Sequence, residues 1–341
     1  MTNDEHEQIG DRQSTVGNKS VRWGLIGCGD IAQKRVAPAL VETQHSELVG
    51  VSRANTDLLD EFADKFNVLH RFADWNELVR CKDIDAVYVA TPVNLHAVQT
   101  MRALESGKHV LCEKPMALNV ADCDRMISAA KAHGGKLGIA YYRHFYPVVR
   151  RMKEVINSGE IGKPVVARVT AFEWFDPAPS NSRAWLLKPE ISGGGPMFDF
   201  GCHRIQLLLH LFGSTRQVTG VTSTALFNRI VEDTAAATFE FEQGTIATLT
   251  VSHAVMEPRD SFTVFGSEGS MNVEVLNEGN LIITTRDSQR SELHAPAQNI
   301  HQPLIEDFVQ AVIDNRQPQV TSEMGKAVAE VEDKIYSVVD Q

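Results

Sequence analysis

From Val21 onward the chain alternates short apolar runs with segments whose apolar positions recur at helical spacing. "VRWGLIG" reads as a strand. It is followed by "DIAQKRVAPALVE", where Ile31, Val36, Leu40 and Val41 trace one helical face. "ELVGVS" and "TDLLDEFADKF" repeat the pair as strand and helix. "DAVYVAT" is apolar almost throughout, as a parallel strand covered on both faces should be. Then come the helix "HAVQTMRALESG", which stops at Gly107, the strand "KHVLC", the helix "VADCDRMISAAKAHG" and the strand "KLGIAY". This alternation predicts a right-handed, doubly wound parallel sheet over residues 21–140.

Beyond Tyr141 the rhythm changes. A helix, "YPVVRRMKEVINSG", leads into "PVVARVTAFEWF" and a loop holding Pro177, Pro179 and Pro189. After "FDFGCHRIQLLLHLFG" the strand-like runs come in series: "RQVTGVTSTAL", "TAAATFEFE", "TIATLTVSHA", "SFTVFGS", "SMNVEVL" and "NLIITTR". Turn signals such as "EQG", "SEG" and "NEG" separate several of them, so residues 141–341 read as an α+β domain with an open, mostly antiparallel sheet. Two helices, "PLIEDFVQAVID" and "EMGKAVAEVEDKIYSVV", close the chain, and the last is placed to pack back on the first domain. Residues 1–20 are polar and carry no apolar run, which predicts a mobile tail rather than a signal peptide or anchor.

Composition narrows the class. The 341 residues, 43% hydrophobic and 23% charged, suit two soluble domains, and no run is long enough to span a membrane. A formal net charge of −11 argues against nucleic acid or an anionic membrane surface as partner. The five cysteines (Cys28, Cys81, Cys112, Cys123 and Cys202) show no C-x-x-C pair, so neither a disulfide framework nor a metal site is expected, and the cytoplasm is the default location.

"GLIGCGDIA" sets Gly27, Gly29 and Ala32 in a G-x-G-x-x-A pattern between the first strand and the first helix. The first glycine permits the tight turn and the second lets a pyrophosphate approach the backbone. The small third residue lets helix and strand pack closely, while Asp30 and Ile31 open the helix whose N-terminus favours an anion. An NAD site commonly has an acidic ribose reader at the end of the second strand. Here Ser52 and Arg53 stand there, and a hydroxyl followed by a permanent cation suits a 2′-phosphate. The expectation is NADP(H) in preference to NAD(H), with Asp57 as an alternative, displaced ribose acceptor.

"HVLCEKPMAL" ends an apolar strand in Glu113, Lys114 and Pro115. In a doubly wound sheet that strand tip faces the ligand crevice, so Lys114 stands where cofactor and substrate meet. "SGGGPMFDFGCHRIQ" carries Asp199 and His203 at i and i+4, on one face of a helix flanked by apolar residues. A buried Asp and His need partners, which a functional pocket or each other can supply.

Together "GLIGCGDIA", "DAVYVATPVNLHAVQTMRALESGKHVLCEKPMAL", "AYYRHFYP" and "GGGPMFDFGCHRI" resemble the Gfo/Idh/MocA family of nicotinamide-dependent oxidoreductases, over nearly everything from Val21 onward. The resemblance implies a Rossmann domain, then a domain whose open sheet serves as the interface of a homo-oligomer, a dimer or tetramer. It implies Lys114, Asp199 and His203 as the catalytic set, with His203 as general acid/base and a cis bond at Pro115. It places Thr91, Pro92, Asn94, His96 and Glu113 on the nicotinamide side, with Lys114 touching both cofactor and substrate. Tyr142 and Arg143 resemble a substrate-side segment, with a brace of the domain junction as the alternative for Arg143, and Gly193, Gly194 and Gly195 would let the backbone approach the bound pair. The implied substrate is a sugar, cyclitol or related small molecule.

Two positions depart from the family pattern. Gln206 replaces an acidic residue three positions after the histidine. Leu186 and Leu187 follow Trp185 where relatives often carry Arg, which predicts a less polar pocket mouth. Two alternatives stay open: a non-catalytic sensor of dinucleotide or sugar, and a glycosidase using transient internal redox. The presence of Lys114 and His203 favours the oxidoreductase.

Overall fold

The computed structural model describes residues 20–337, so the tail expected at residues 1–20 lies outside the described residues but for Ser20. Six parallel strands build the first sheet: β1 (Val21–Ile26), β2 (Ser46–Ser52), β3 (His70–Phe72), β4 (Ala86–Val89), β5 (His109–Cys112) and β6 (Leu137–Ile139). Their order is β3-β2-β1-β4-β5-β6, so the topology reverses between β1 and β4. A crevice forms beyond the carboxyl ends of the strands at such a point. Helices α1 (Ala37–Glu42), α2 (Thr56–Lys65), α3 (Trp75–Arg80), α4 (His96–Glu105) and α5 (Val120–His133) connect them. All four residues of β4 are buried, as its unbroken apolar run demands.

Helix α6 (Pro147–Ser158) leads to the second sheet, whose order is β14-β13-β12-β11-β7-β10-β9-β8. Its strands are β7 (Pro164–Trp174), β8 (Thr215–Ser223), β9 (Thr234–Phe241), β10 (Ile246–Ser252), β11 (Ala254–Gly266), β12 (Gly269–Val273), β13 (Asn280–Thr285) and β14 (Gln289–Leu293). Only β7 and β10 pair in parallel; the other neighbours are antiparallel. Strands β9 and β10 alternate between buried and more exposed residues, one face on the core and one outward. Between β7 and β8 lie the short α7 (Pro189–Ser192) and α8 (Cys202–Phe212).

The last two helices tie the sheets together. Phe308 of α9 (Gln302–Ile313) packs on Trp23 of β1, with ring centroids 5.4 Å apart. Helix α10 (Ser322–Ser337) lies against α5 and β6 on one side and α8 and β8 on the other. No described helix is long and apolar enough to cross a membrane.

Candidate active site

Residues 26–29 turn sharply between β1 and the first helix. Gly27 has φ +94°, and a Cβ there would meet the Ala90 carbonyl oxygen at 2.6 Å. A Cβ on Gly29 would meet nothing within 4 Å, so its missing side chain leaves open space above the turn. Ile31 beside it is 40% exposed, and Asp30 pairs with Lys34 at 2.8 Å on the surface. An uncovered apolar side chain and a side-chain-free turn at a helix start form a cradle that fits a dinucleotide pyrophosphate. At the end of β2, Ser52 is buried and its carbonyl accepts the Gly27 N–H. Arg53 lies over the turn, its Nη1 donating to the Cys28 carbonyl at 2.7 Å.

Two loops frame the crevice beside β1. After β4, Thr91 Oγ1 donates to Gln99 at 2.6 Å, Pro92 is half-buried and Asn94 is exposed. After β5 comes the Glu113-Lys114-Pro115 turn, with the Lys114–Pro115 peptide cis. His96 joins the two loops: its Nδ1 lies 2.9 Å from the Pro115 carbonyl and its Nε2 2.8 Å from the Thr91 carbonyl. The resemblance puts His96 on the nicotinamide side; its buried ring lies between these two carbonyls and can donate its one proton to either, so the ring braces the loops. Glu113 is likewise held from several sides, by Tyr88 Oη at 2.8 Å, the Lys114 N–H at 3.2 Å and His301 Nε2 at 3.5 Å. Burial opposes its charge, but His301, Lys114 and Tyr88 outweigh that and lower its pKa.

The second domain brings its half of the site to Lys114. Residues Met197–Gly201 form a π-helical turn before α8, a widening often found at functional sites. Through it the Asp199 carbonyl accepts a hydrogen bond from Lys114 Nζ at 2.6 Å, and Asp199 Oδ1 lies 3.7 Å from the same ammonium. The other carboxylate oxygen faces Arg183 Nη2 and His253 Nε2, each at 3.5 Å. Burial pushes the Asp199 pKa up, yet His253, Lys114 and Arg183 bring it down to about 2. Lys114 mirrors it. Burial disfavours the ammonium, but Cys202, Asp199 and Glu113 more than offset this, and its pKa is raised.

His203 follows on α8, buried against Tyr141 and Tyr142, whose rings meet it edge-on at 5.7 and 4.7 Å. Its Nδ1 has no hydrogen-bond partner among the described residues. Desolvation first, then the charges of Lys114, Arg143 and Arg204, press its pKa well below 6.5. The helical spacing of Asp199 and His203 therefore does not make them a pair: Asp199 is held by Lys114, Arg183 and His253.

Three further expectations are sharpened by the structure. Arg143 is buried and donates to Asp260 at 2.9 Å, a carboxylate it shares with Arg204, which fits the alternative of a brace between the domains, here against β11. Tyr142 alone of that pair stays half-exposed, over the rings of His203 and His301. Gly193, Gly194 and Gly195 serve internal packing. A Cβ on Gly195 would lie 2.1 Å from the Glu232 carbonyl oxygen, and one on Gly194 2.6 Å from Tyr336 Oη. Arg183, from the proline-containing loop, gives the mouth a cation that the Leu186-Leu187 reading did not foresee, while Gln206 turns away to His144 at 3.1 Å.

A Rossmann sheet with an open glycine turn, joined over its crevice to a charged Lys–Asp pair and a buried histidine, defines a dinucleotide-dependent oxidoreductase. The profile of the "Oxidoreductase family, NAD-binding Rossmann fold" matches residues 21–141, and that of the "GFO/IDH/MocA C-terminal domain" matches residues 149–272. The chain is 30% identical to 1,5-anhydro-D-fructose reductase of Ensifer adhaerens, over 89% of this chain and 92% of that one. It is 28% identical to myo-inositol 2-dehydrogenase of Thermotoga maritima, over 90% and 92%. Among solved structures, the aldose-aldose oxidoreductase of Caulobacter crescentus superposes with a TM-score of 0.87 at 25% identity, covering 94% of this chain and 98% of that one. The chain belongs to the Gfo/Idh/MocA family of oxidoreductases.

Proposed function

We propose that the protein transfers a hydride between nicotinamide C4 and a hydroxyl-bearing or carbonyl carbon of a sugar, cyclitol or related polyol, with NADP(H) preferred over NAD(H). The observation that carries this reading is the junction of the two domains. Lys114, at the tip of a Rossmann strand, lies 2.6 Å from the Asp199 carbonyl on the π-turn of the second domain, with His203 buried nearby. The substrate class is supported by the relatives, which include an anhydrofructose reductase and an inositol dehydrogenase.

A bound nicotinamide dinucleotide supplies the hydride acceptor or donor. The chain's own residues handle the proton and the charge. In the oxidative direction His203, kept neutral by burial and neighbouring cations, accepts the hydroxyl proton. The ammonium of Lys114 stabilises the oxyanion that develops as that proton leaves, before it becomes the carbonyl oxygen. Asp199 holds Lys114 in place through both its carbonyl and its carboxylate. In reduction the same groups act in reverse. Gly29 and the first helix would receive the pyrophosphate, with Asp30, Ile31 and Ala32 in the first turn. Arg53, with Ser52 behind it, would hold the adenosine ribose end, where a 2′-phosphate would gain a guanidinium partner. Thr91, Pro92, Asn94 and Glu113 would line the nicotinamide side, and Tyr142 the substrate side. The outward face of the second sheet carries a homo-oligomer in the cytoplasm.

Titration with NADPH and NADH, read by quenching of tryptophan fluorescence, tests the cofactor. A screen of sugars and cyclitols by nicotinamide absorbance then tests the reaction. Tighter NADPH binding and turnover of a polyol are expected. Binding of neither nucleotide would overturn the reading, and tighter NADH binding would overturn the role given to Arg53.

A further inference from the structure

His253 sits at the junction of β10 and β11, 54 positions along the chain from Asp199 and outside every motif in the sequence. Its imidazole is fully buried between Phe175 and Phe200, with ring centroids at 4.9 and 5.2 Å. Its main chain is pinned as well: the N–H donates to the Asp233 carbonyl at 2.7 Å, and the carbonyl accepts from the Phe175 N–H at 2.9 Å. The ring therefore has little freedom to turn.

Its protonation pattern follows from one neighbour. Arg229 Nη2 lies 3.0 Å from His253 Nδ1, and a guanidinium can only donate. Nδ1 must then offer its lone pair, which leaves the ring neutral with its one proton on Nε2. Arg229 is itself held by the carbonyls of Phe175 at 3.1 Å and Glu232 at 2.9 Å, so this donor is fixed. The Nε2 atom has no hydrogen-bond partner among the described residues and stands 3.5 Å from Asp199 Oδ2. A buried N–H with one carboxylate in reach and nothing else to bond is a donor waiting for that carboxylate. Contacts of this kind are often long before ligands bind and tighten in the working complex.

We propose that His253 is a positioning residue: with its tautomer set by Arg229, it fixes Asp199 Oδ2 so that the rest of Asp199 holds the Lys114 ammonium. The assignment rests on the oxidoreductase reading of the site, and it adds a chain of donors, Arg229 to His253 to Asp199, entering from the second sheet. Arg183 faces the same oxygen from solvent. Being 44% exposed, it is a screened, movable partner, whereas His253 is enclosed and immobile.

Two measurements test this. In protein labelled with ¹⁵N-histidine, long-range ¹H–¹⁵N correlations should show His253 as the Nε2–H tautomer. This readout needs no turnover and stands whether or not a substrate is found. An Nδ1–H tautomer or an imidazolium would overturn the proposal. With a polyol substrate in hand, H253L should lose roughly tenfold or more in kcat, as when a charged group loses one fixed hydrogen-bond donor, with dinucleotide affinity unchanged. H253Q, which returns an N–H near the Nε2 position, should recover most of that loss. Wild-type kcat in H253L, or equal loss in both variants, would reduce His253 to packing. A wild-type protein that binds dinucleotide yet turns over no polyol would instead sink the enzymatic reading, leaving the tautomer to be decided on its own.

Discussion

At the scale of single residues, the site separates charge from proton. Lys114 is held as an ammonium by its anionic neighbours Asp199 and Glu113, while His203, a few residues along from Asp199, is kept neutral by burial first and then by Lys114, Arg143 and Arg204. Lys114→Ala should therefore abolish turnover, by on the order of a hundredfold or more for a group acting directly on the reacting oxygen. NADPH affinity should stay within a few-fold, because the glycine turn and Arg53 are untouched; retained turnover would remove Lys114 from the chemistry. The pH dependence follows from the sign of the histidine shift. A histidine pKa lowered from 6.5 means the base form persists as pH falls through 6.5, and only more acidic solution protonates it. The acid limb of kcat/KM for oxidation should accordingly lie below pH 6.5. A limb at or above that value, still present in His203→Asn, would mean that another group is the base.

At the scale of elements, the chain's glycines divide into two kinds that sequence alone does not distinguish. "GCG" and "GGG" look alike on the page, yet a Cβ on Gly29 would enter open space and one on Gly195 would strike the Glu232 carbonyl at 2.1 Å. Gly29→Ala should leave the melting temperature almost unchanged but weaken NADPH binding about tenfold or more, since the added methyl occupies the pyrophosphate's approach. Gly195→Ala should cost about 2 kcal/mol or more through overpacking, seen as a fall of several degrees. The reverse assignment would show that the cradle lies elsewhere. The same contrast explains what could be read in advance. Strands β1, β2, β4 and β5 are apolar enough to declare themselves, and the strand-tip position of Lys114 follows from topology alone. Strands β3 and β14 went unforeseen because "HRF" and "QRSEL" are short, half-exposed edge strands without an apolar pattern. The π-turn at Met197–Gly201 has no periodic signature, so helical spacing alone left open whether Asp199 and His203 satisfy each other. Arg183 and His253 reach Asp199, and Arg229 reaches His253, only through folding of the second domain, and no local pattern announces them.

At the scale of the whole molecule, the two sheets differ in how they are covered. The first has helices on both faces, whereas the second turns one face outward. Across that face Val166 on β7 pairs in register with Ile246 on β10 and with Phe265 on β11. These three side chains are 41%, 39% and 43% exposed, a row of apolar residues over three adjacent strands on a protein of net charge −11. Such an exposed apolar row suits another copy of itself, since a two-fold axis over the sheet would set identical rows face to face. Light scattering should then report a dimer or tetramer. V166D combined with F265K should shift it toward the monomer without lowering NADPH affinity, because the glycine turn belongs to the other sheet. A wild-type monomer at micromolar concentration, or a double variant that keeps the wild-type mass, would mean that this face is left to solvent.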